Sequence, residues 1–456
     1  FVRIAPRWLA PTIVKCSRIA WFSQTITPQL QEHTGHPIGT YPHKCALHHY
    51  STVRHRVSLS FFNGHSTGIQ EPINSRSAGS TTLTAMNIVI APDSFKGFAT
   101  SEQAAAWLAD GVAEVLPNAT ITTAGMADGG EGTAERFSGE TITLPTTDAA
   151  GRLTEASYRY DRATKTAYID IAAASGLPAV ADKLDALSAD TYGTGVLIAD
   201  AQTRGAQRVV LGLGGSATTD GGMGILVALG AAPHDKRGYP LPKGGGPLDR
   251  LEHIDTANLN VAAAGMEFVL LADTTAPTCG PHGSAEVFSR QKGADDEQVA
   301  HLDAAMRNLC EVTGVDPDAE FMGAAGATPV GLIWLSRLIY GTDDHVHLLP
   351  GAAIVAQELG LPAAIAQADL VITGEGRFDE QSSHGKVISQ IAQLVDAAGQ
   401  NSSEKPGPVL AIAAAEFGVQ PGDNVLAVQL APGKDVADQL RAAGEEIARK
   451  FQQTRL

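Results

Sequence analysis

The stretch Leu211–Gly222, Leu-Gly-Leu-Gly-Gly-Ser-Ala-Thr-Thr-Asp-Gly-Gly, constrains this chain more than any other part of it. It follows the apolar pair Val209-Val210 and reads as a strand breaking into a loop. Glycines there take φ > 0, let a second backbone or a ligand come close, and present successive N–H groups to an anion. Asp220 stands inside the loop, where a carboxylate can hold a divalent cation beside a phosphate. The plainer alternative is a tight turn before the apolar helix Gly224–Leu229.

Two more loops share this character. Asn87–Ala91 is a short apolar strand of the kind buried on both faces of a parallel sheet, and Pro92-Asp93-Ser94-Phe95-Lys96-Gly97 follows it. Thr100 and Gln103 form a capping box, and Ala104, Trp107, Leu108, Val112 and Val115 recur at helical spacing. After a second strand, Ile121–Ala124, comes the loop Asp128-Gly129-Gly130-Glu131-Gly132-Thr133. Strand, helix and strand make an α/β unit, whose ligands collect at the carboxyl ends of the strands. Near the end, Ala368–Ile372 leads into Thr373-Gly374-Glu375-Gly376-Arg377-Phe378-Asp379, read as a turn, and His384-Gly385-Lys386 opens a helix. A helix N-terminus beside a basic residue is another place for an anion.

Between these loops the pattern changes. Thr141–Leu144, Ala156–Tyr160 and Ala167–Ile171 read as antiparallel strands opening a second domain. The fold expected is α/β, with two α/β domains and the active site in the cleft between them. Residues 86–148 and 360–456 form a Rossmann-like domain with a mostly parallel sheet, and residues 149–359 form an inserted domain with a mixed sheet.

Residues 1–85 differ from the rest. They carry Arg and Lys against only Glu32 and Glu71, so the body is more acidic than the overall net charge of −16. They read as a disordered leader or translated upstream region, the working protein starting near Met86. An acidic body excludes a nucleic-acid footprint, and no apolar run approaches the roughly 20 residues of a membrane span. Cys16, Cys45, Cys279 and Cys310 show no paired spacing, which suits a cytoplasmic protein. The partner expected is a small molecule, with the chain a monomer or homodimer.

Carboxylates at strand ends (Asp93, Asp128, Asp220, Asp273, Glu375), glycine loops, and Lys96, Arg377 and Lys386 among them suit phosphoryl transfer. That chemistry needs cation ligands, an anion cradle and positive charge. No Walker A spacing precedes Gly385-Lys386. Dinucleotide binding is the competing reading, since Gly212-x-Gly214-x-x-Ala217 follows a strand; the acid expected about twenty residues on would be Asp235, which no second buried strand precedes.

Asn87–Lys96, Met126–Gly132, Gly212–Gly222 and Val371–Arg377 together resemble the bacterial glycerate kinases, in order and across essentially the whole body. The resemblance implies ATP-dependent phosphorylation of D-glycerate with Mg²⁺, 2-phosphoglycerate being favoured over 3-phosphoglycerate. It carries site membership onto Asp93, Ser94, Lys96, Asp128, Gly129, Gly130, Glu131, Gly132 and Thr133. It adds Gly214, Gly215, Ser216, Thr218, Asp220, Gly221 and Gly222, then Gly374, Glu375, Gly376 and Arg377, with Lys386 beside them. Asp93, Lys96, Asp128 and Asp220 are the expected catalytic groups, and Asp128, Asp220 and Glu375 the expected Mg²⁺ ligands. Lys96 and the glycine loops would hold the ATP phosphates, Asp93 or Asp220 would accept the hydroxyl proton, and Arg377 or Lys386 would pair with the substrate carboxylate. The chain departs from the family at Ala276, at Ala327-Thr328-Pro329 and at Ala414-Ala415, so a non-catalytic regulatory relative is a further alternative.

Overall fold

The computed structural model describes residues 86–379, 386–401, 406–422, 424–432 and 435–455. All belong to one compact unit, Phe62–Leu456. The leader expected over residues 1–85 and the His384-Gly385 pair lie outside the described residues.

Two large sheets carry the fold. The strands among the described residues are β1 (Asn87–Ile90), β2 (Thr120–Thr123), β3 (Glu140–Thr147), β4 (Leu153–Asp161), β5 (Thr166–Asp170), β6 (Arg208–Gly212), β7 (Ala232–His234), β8 (His253–Asp255), β9 (Glu267–Ala272), β10 (Val346–Pro350), β11 (Leu370–Phe378), β12 (Val409–Phe417) and β13 (Val425–Gln429). The first sheet runs β13-β12-β11-β1-β2 and is parallel throughout. The second runs β10-β9-β6-β5-β4-β3, parallel from β10 to β5 and antiparallel from β5 to β3. β7 and β8 pair separately. Strand β3 lies before the boundary expected at 148 yet pairs with β4, so the mixed sheet begins at Glu140.

The apolar run of β1 is explained by burial on both faces. Ile88 and Ile90 point into a core with Leu108, Val112, Leu440, Ile447 and Phe451, where the helices Ser101–Val115 and Val436–Thr454 cover the sheet. The Thr100–Gln103 capping box opens the first of these helices as expected. A Cβ on Gly111 would stand 1.9 Å from Arg441 O, and one on Gly444 2.3 Å from Leu108 O, so two glycines set how closely the helices approach. Val89, on the other side of β1, joins a core that also contains Val210, Val269 and Leu271 of the second sheet. The two sheets therefore share apolar burial, worth about 1.5–3 kcal/mol for each such side chain fully removed from water.

One expected turn is strand. Thr373–Phe378 continues β11, paired with Ile412–Phe417. A Cβ on Gly374 would meet Ala413 O at 2.4 Å, so glycine here permits strand pairing and does not turn the chain.

Candidate active site

The parallel sheet changes direction between β1 and β11. From β1 the order steps outward to β2, and from β11 it steps the opposite way to β12 and β13. Ligands of open α/β sheets bind at the carboxyl ends of the strands at such a point. A cavity of about 480 Å³ lies there. Asp93, Ser94, Lys96, Asp128, Glu375, Gly376, Arg377 and Lys386, all expected site residues, line it.

Backbone bonds fix these groups. Asp93 N donates to Gly374 O at 2.8 Å, tying the residues after β1 to β11, and Met126 N donates to Pro92 O at 2.9 Å, tying in the approach to Asp128. Ser94 N donates to Asp93 Oδ1 at 2.6 Å and Gly130 N to Asp128 Oδ1 at 3.0 Å, so each carboxylate is oriented by its own loop. Lys386 stands one residue before the helix Val387–Asn401, and its carbonyl accepts from Gln390 N.

The charges disturb one another. Burial first, then the neighbouring Asp128 carboxylate, pushes Asp93 up from 3.8 to about 7, Lys96 opposing and Glu375 adding to the rise. Asp273, just after β9 of the second sheet, is raised to about 6 by burial and again by Asp128, with Lys386 and Lys96 opposing. Asp128 is thus the common electrostatic neighbour of carboxylates from both sheets. A hard divalent cation relieves such repulsion, and oxygen ligands of this kind suit Mg²⁺, which binds through one or two carboxylates with water and phosphate completing its shell. Among the described residues no group of three His, Cys, Asp or Glu side chains is placed to hold a metal unaided.

The Asp128 and Asp220 loops pack against each other. Gly214 N donates to Gly129 O at 2.9 Å, and a Cβ on Gly214 would stand 2.6 Å from Gly130 Cα. A Cβ on Gly212 would meet Gly129 O at 2.9 Å. These glycines let the two loops touch. Beyond them only Gly215 is exposed. Ser216 and Thr218 are buried, and Gly221 and Gly222 turn at φ +61 and +76 against Leu309 and Thr328. In the Asp128 loop Glu131 is exposed, Thr133 is buried, and Gly132 N donates to Asp170 Oδ2 at 2.8 Å.

Asp220 is not brought to the cavity. It is 0 % exposed, accepts from Thr191 N and Thr191 Oγ1 at 2.8 Å, from Gly224 N at 3.0 Å and from Gly222 N at 3.2 Å, and burial raises its pKa. A carboxylate so enclosed does not reach solvent or line the cavity, and its hydrogen bonds are those of a structural anchor.

Three further residues bear on the site. The sequence marks Asp273 only as a strand-end carboxylate. Asp170, the last residue of β5, accepts from Gly132 N and from Ala134 N at 2.9 Å and so clamps the Asp128 loop; burial raises it to about 7 against those bonds. Its one signal is an acid ending an apolar strand. Lys292 is buried beneath the Asp220 loop, donating to Thr218 O at 2.6 Å and Ser216 Oγ at 3.2 Å. Burial lowers it to about 8, Asp220 opposing. Arg290-Gln-Lys292 gives no sequence signal of this.

This fold and this group of residues define an α/β protein with carboxylates and cations gathered at a switch point. The chain belongs to the Glycerate kinase family, whose model matches residues 88–421. It is 36% identical over 331 residues to a glycerate kinase of Halalkalibacterium halodurans, covering 72% of this chain and 84% of that one. It is likewise 36% identical over 314 residues to the glycerate 2-kinase of Escherichia coli K12, covering 68% and 82%. A crystal structure of a Salmonella typhimurium LT2 chain provisionally named glycerate kinase 2 superposes with a TM-score of 0.65 at 32% identity, over 81% of this chain and 97% of that one. No helix among the described residues is long and apolar enough to cross a membrane.

Proposed function

We propose that the chain transfers the γ-phosphoryl group of ATP to a hydroxyl of D-glycerate, forming 2-phosphoglycerate and ADP. The observation that carries this is the convergence of Asp93, Lys96, Asp128, Glu375, Arg377 and Lys386 on one cavity at the switch point of the parallel sheet. Phosphoryl transfer asks little covalent chemistry of a protein and much positioning of charge, which such a cavity supplies.

Roles follow from position and charge. Asp93, with a pKa raised to about 7, is poised to take the proton of the attacking hydroxyl. Lys96 faces the phosphates from the turn after β1, and Lys386 or Arg377 pairs with the substrate carboxylate. Asp128 and Glu375 would hold Mg²⁺. That ion supplies charge neutralisation on the transferring phosphoryl group. Asp170 and Lys292 keep the two glycine loops in place behind these groups.

The test is incubation with ATP, Mg²⁺ and D-glycerate, reading ADP release, with enolase added to report 2-phosphoglycerate. ADP release without an enolase signal would assign the 3-isomer. No ADP release would refute the reading and favour a non-catalytic member.

A further inference from the structure

The charged groups are only part of the cavity's lining, and only they have a use in the reading above. Phe98, Ala415, Leu430 and Val436 line it as well, with Gln439, and Phe95 and Ala99 of the Phe98 turn pack in the same core as Leu430 and Val436. Phe98 is 76% exposed, whereas Phe95 in the same turn is 1% exposed. Single exposed apolar residues are ordinary on protein surfaces, so exposure alone says little. What distinguishes Phe98 is a rigid mount at the edge of a cavity. Phe95 and Ala99 each donate a backbone N–H to the other's carbonyl at 3.0 Å, and Phe98 N donates to Phe95 O at 2.8 Å. Gly97 turns the chain between them at φ +81. The same turn therefore presents Lys96 and, two residues on, a phenyl ring.

D-glycerate is a three-carbon polar acid with nothing to place against phenyl, leucine and valine side chains. A nucleoside triphosphate has an anionic tail for the charged side chains and a flat aromatic base for the apolar ones. We propose that the apolar side chains form the subsite for the base of the nucleotide donor, with Phe98 stacked on the base and Leu430 and Val436 completing its lining. The inference rests on the kinase reading for its donor. The cavity is of ligand-binding size, about 300–1,000 Å³ being usual, and its cations match the charge of the tail.

Phe98→Ala tests this without threatening the fold, because the ring buries almost nothing in the free protein. Base–aromatic stacking corresponds to a factor of about 5–150 in affinity. F98A should raise KM for ATP by about tenfold or more, leaving kcat and KM for D-glycerate unchanged, and F98W should restore the ATP value. ATP without glycerate should quench the added indole emission of F98W. Inorganic tripolyphosphate, a tail without a base, should inhibit wild type and F98A equally. An unchanged KM for ATP in F98A, a rise in KM for glycerate instead, or stronger tripolyphosphate inhibition of wild type than of F98A would overturn the subsite. If the wild type releases no ADP, the kinase reading fails, and the F98W quench by ATP still decides whether a base binds here.

Discussion

Replacing Asp220 by Asn should cost stability and spare chemistry, whereas replacing Asp128 by Asn should do the reverse. Asp220 Oδ2 accepts three bonds, from Thr191 N, Thr191 Oγ1 and Gly224 N, and Oδ1 accepts one, from Gly222 N. An asparagine can keep its oxygen on the three-donor side, but its amide then faces Gly222 N–H, donor against donor. One buried donor loses its acceptor, at about 1–3 kcal/mol. Removing a carboxylate that burial disfavours offsets part of this, and Lys292 loses the anion that supports its charge. The net expectation is about 2 kcal/mol of destabilisation, or a few degrees in Tm. Asp128 differs, since Gly130 N donates to its Oδ1, which asparagine reproduces. D128N, which also removes the charge that repels Asp93 and Asp273, should therefore unfold at or above the wild-type urea midpoint while kcat falls about 10²–10³-fold, as when one preorganised electrostatic group is lost. Urea unfolding of both variants, with kcat at saturating ATP, Mg²⁺ and D-glycerate, gives both readouts. D220N with a wild-type midpoint and a kcat reduced a hundredfold or more would place Asp220 at the reacting atoms and refute the reasoning.

Gly214→Ala would drive a Cβ to 2.6 Å from Gly130 Cα, backbone against backbone. We expect about 1–3 kcal/mol of destabilisation together with reduced kcat; wild-type Tm and turnover would show that the loops do not need this contact. Lys292→Met keeps the buried stem but strands Asp220 without a cation, and should lower stability by roughly 2–4 kcal/mol, with partial recovery in the K292M/D220N double variant by urea titration. Asp170 has a folded pKa of about 7, above its ordinary 3.8, so between those values the folded chain holds a proton that the unfolded chain has released. Its contribution to stability is full at low pH and is lost as pH rises through about 7. Asp170→Asn should accordingly flatten the decline in unfolding free energy between pH 5 and 7 by up to about 1.4 kcal/mol per pH unit, and an unchanged slope would assign the titration elsewhere.

What the sequence made legible was local or periodic. The β1 run predicts burial on two faces because Ile88 and Val89 alternate between two cores, and Thr100 with Gln103 marks a helix start because the cap bonds lie within one turn. Asp93, Asp128 and Glu375 could be nominated because an acid following an apolar strand in an α/β pattern has a default location. Long-range pairing was not legible. Nothing near Thr373–Phe378 announces that β12 runs beside it, so its glycines read as a turn. Lys292 was invisible for a similar reason, since a lysine between Gln291 and Gly293 reads as solvated until the Asp220 loop is laid over it.

A missing Cβ records that something comes close, not what does. In Gly129, Gly212 and Gly214 the approaching group is another stretch of this chain, and in Gly351 it is Asp128 O, which a Cβ would meet at 2.1 Å. That contact has a functional consequence at one remove. It seats the loop following β2 of the parallel sheet against the carboxyl ends of β6, β9 and β10 of the mixed sheet. Asp128 is thereby held where its charge acts both on Asp93 after β1 and on Asp273 after β9. Without glycine at these positions the two sheets could each fold and still fail to share a site. The glycine-rich motifs of this chain therefore fix where carboxylates from two sheets meet.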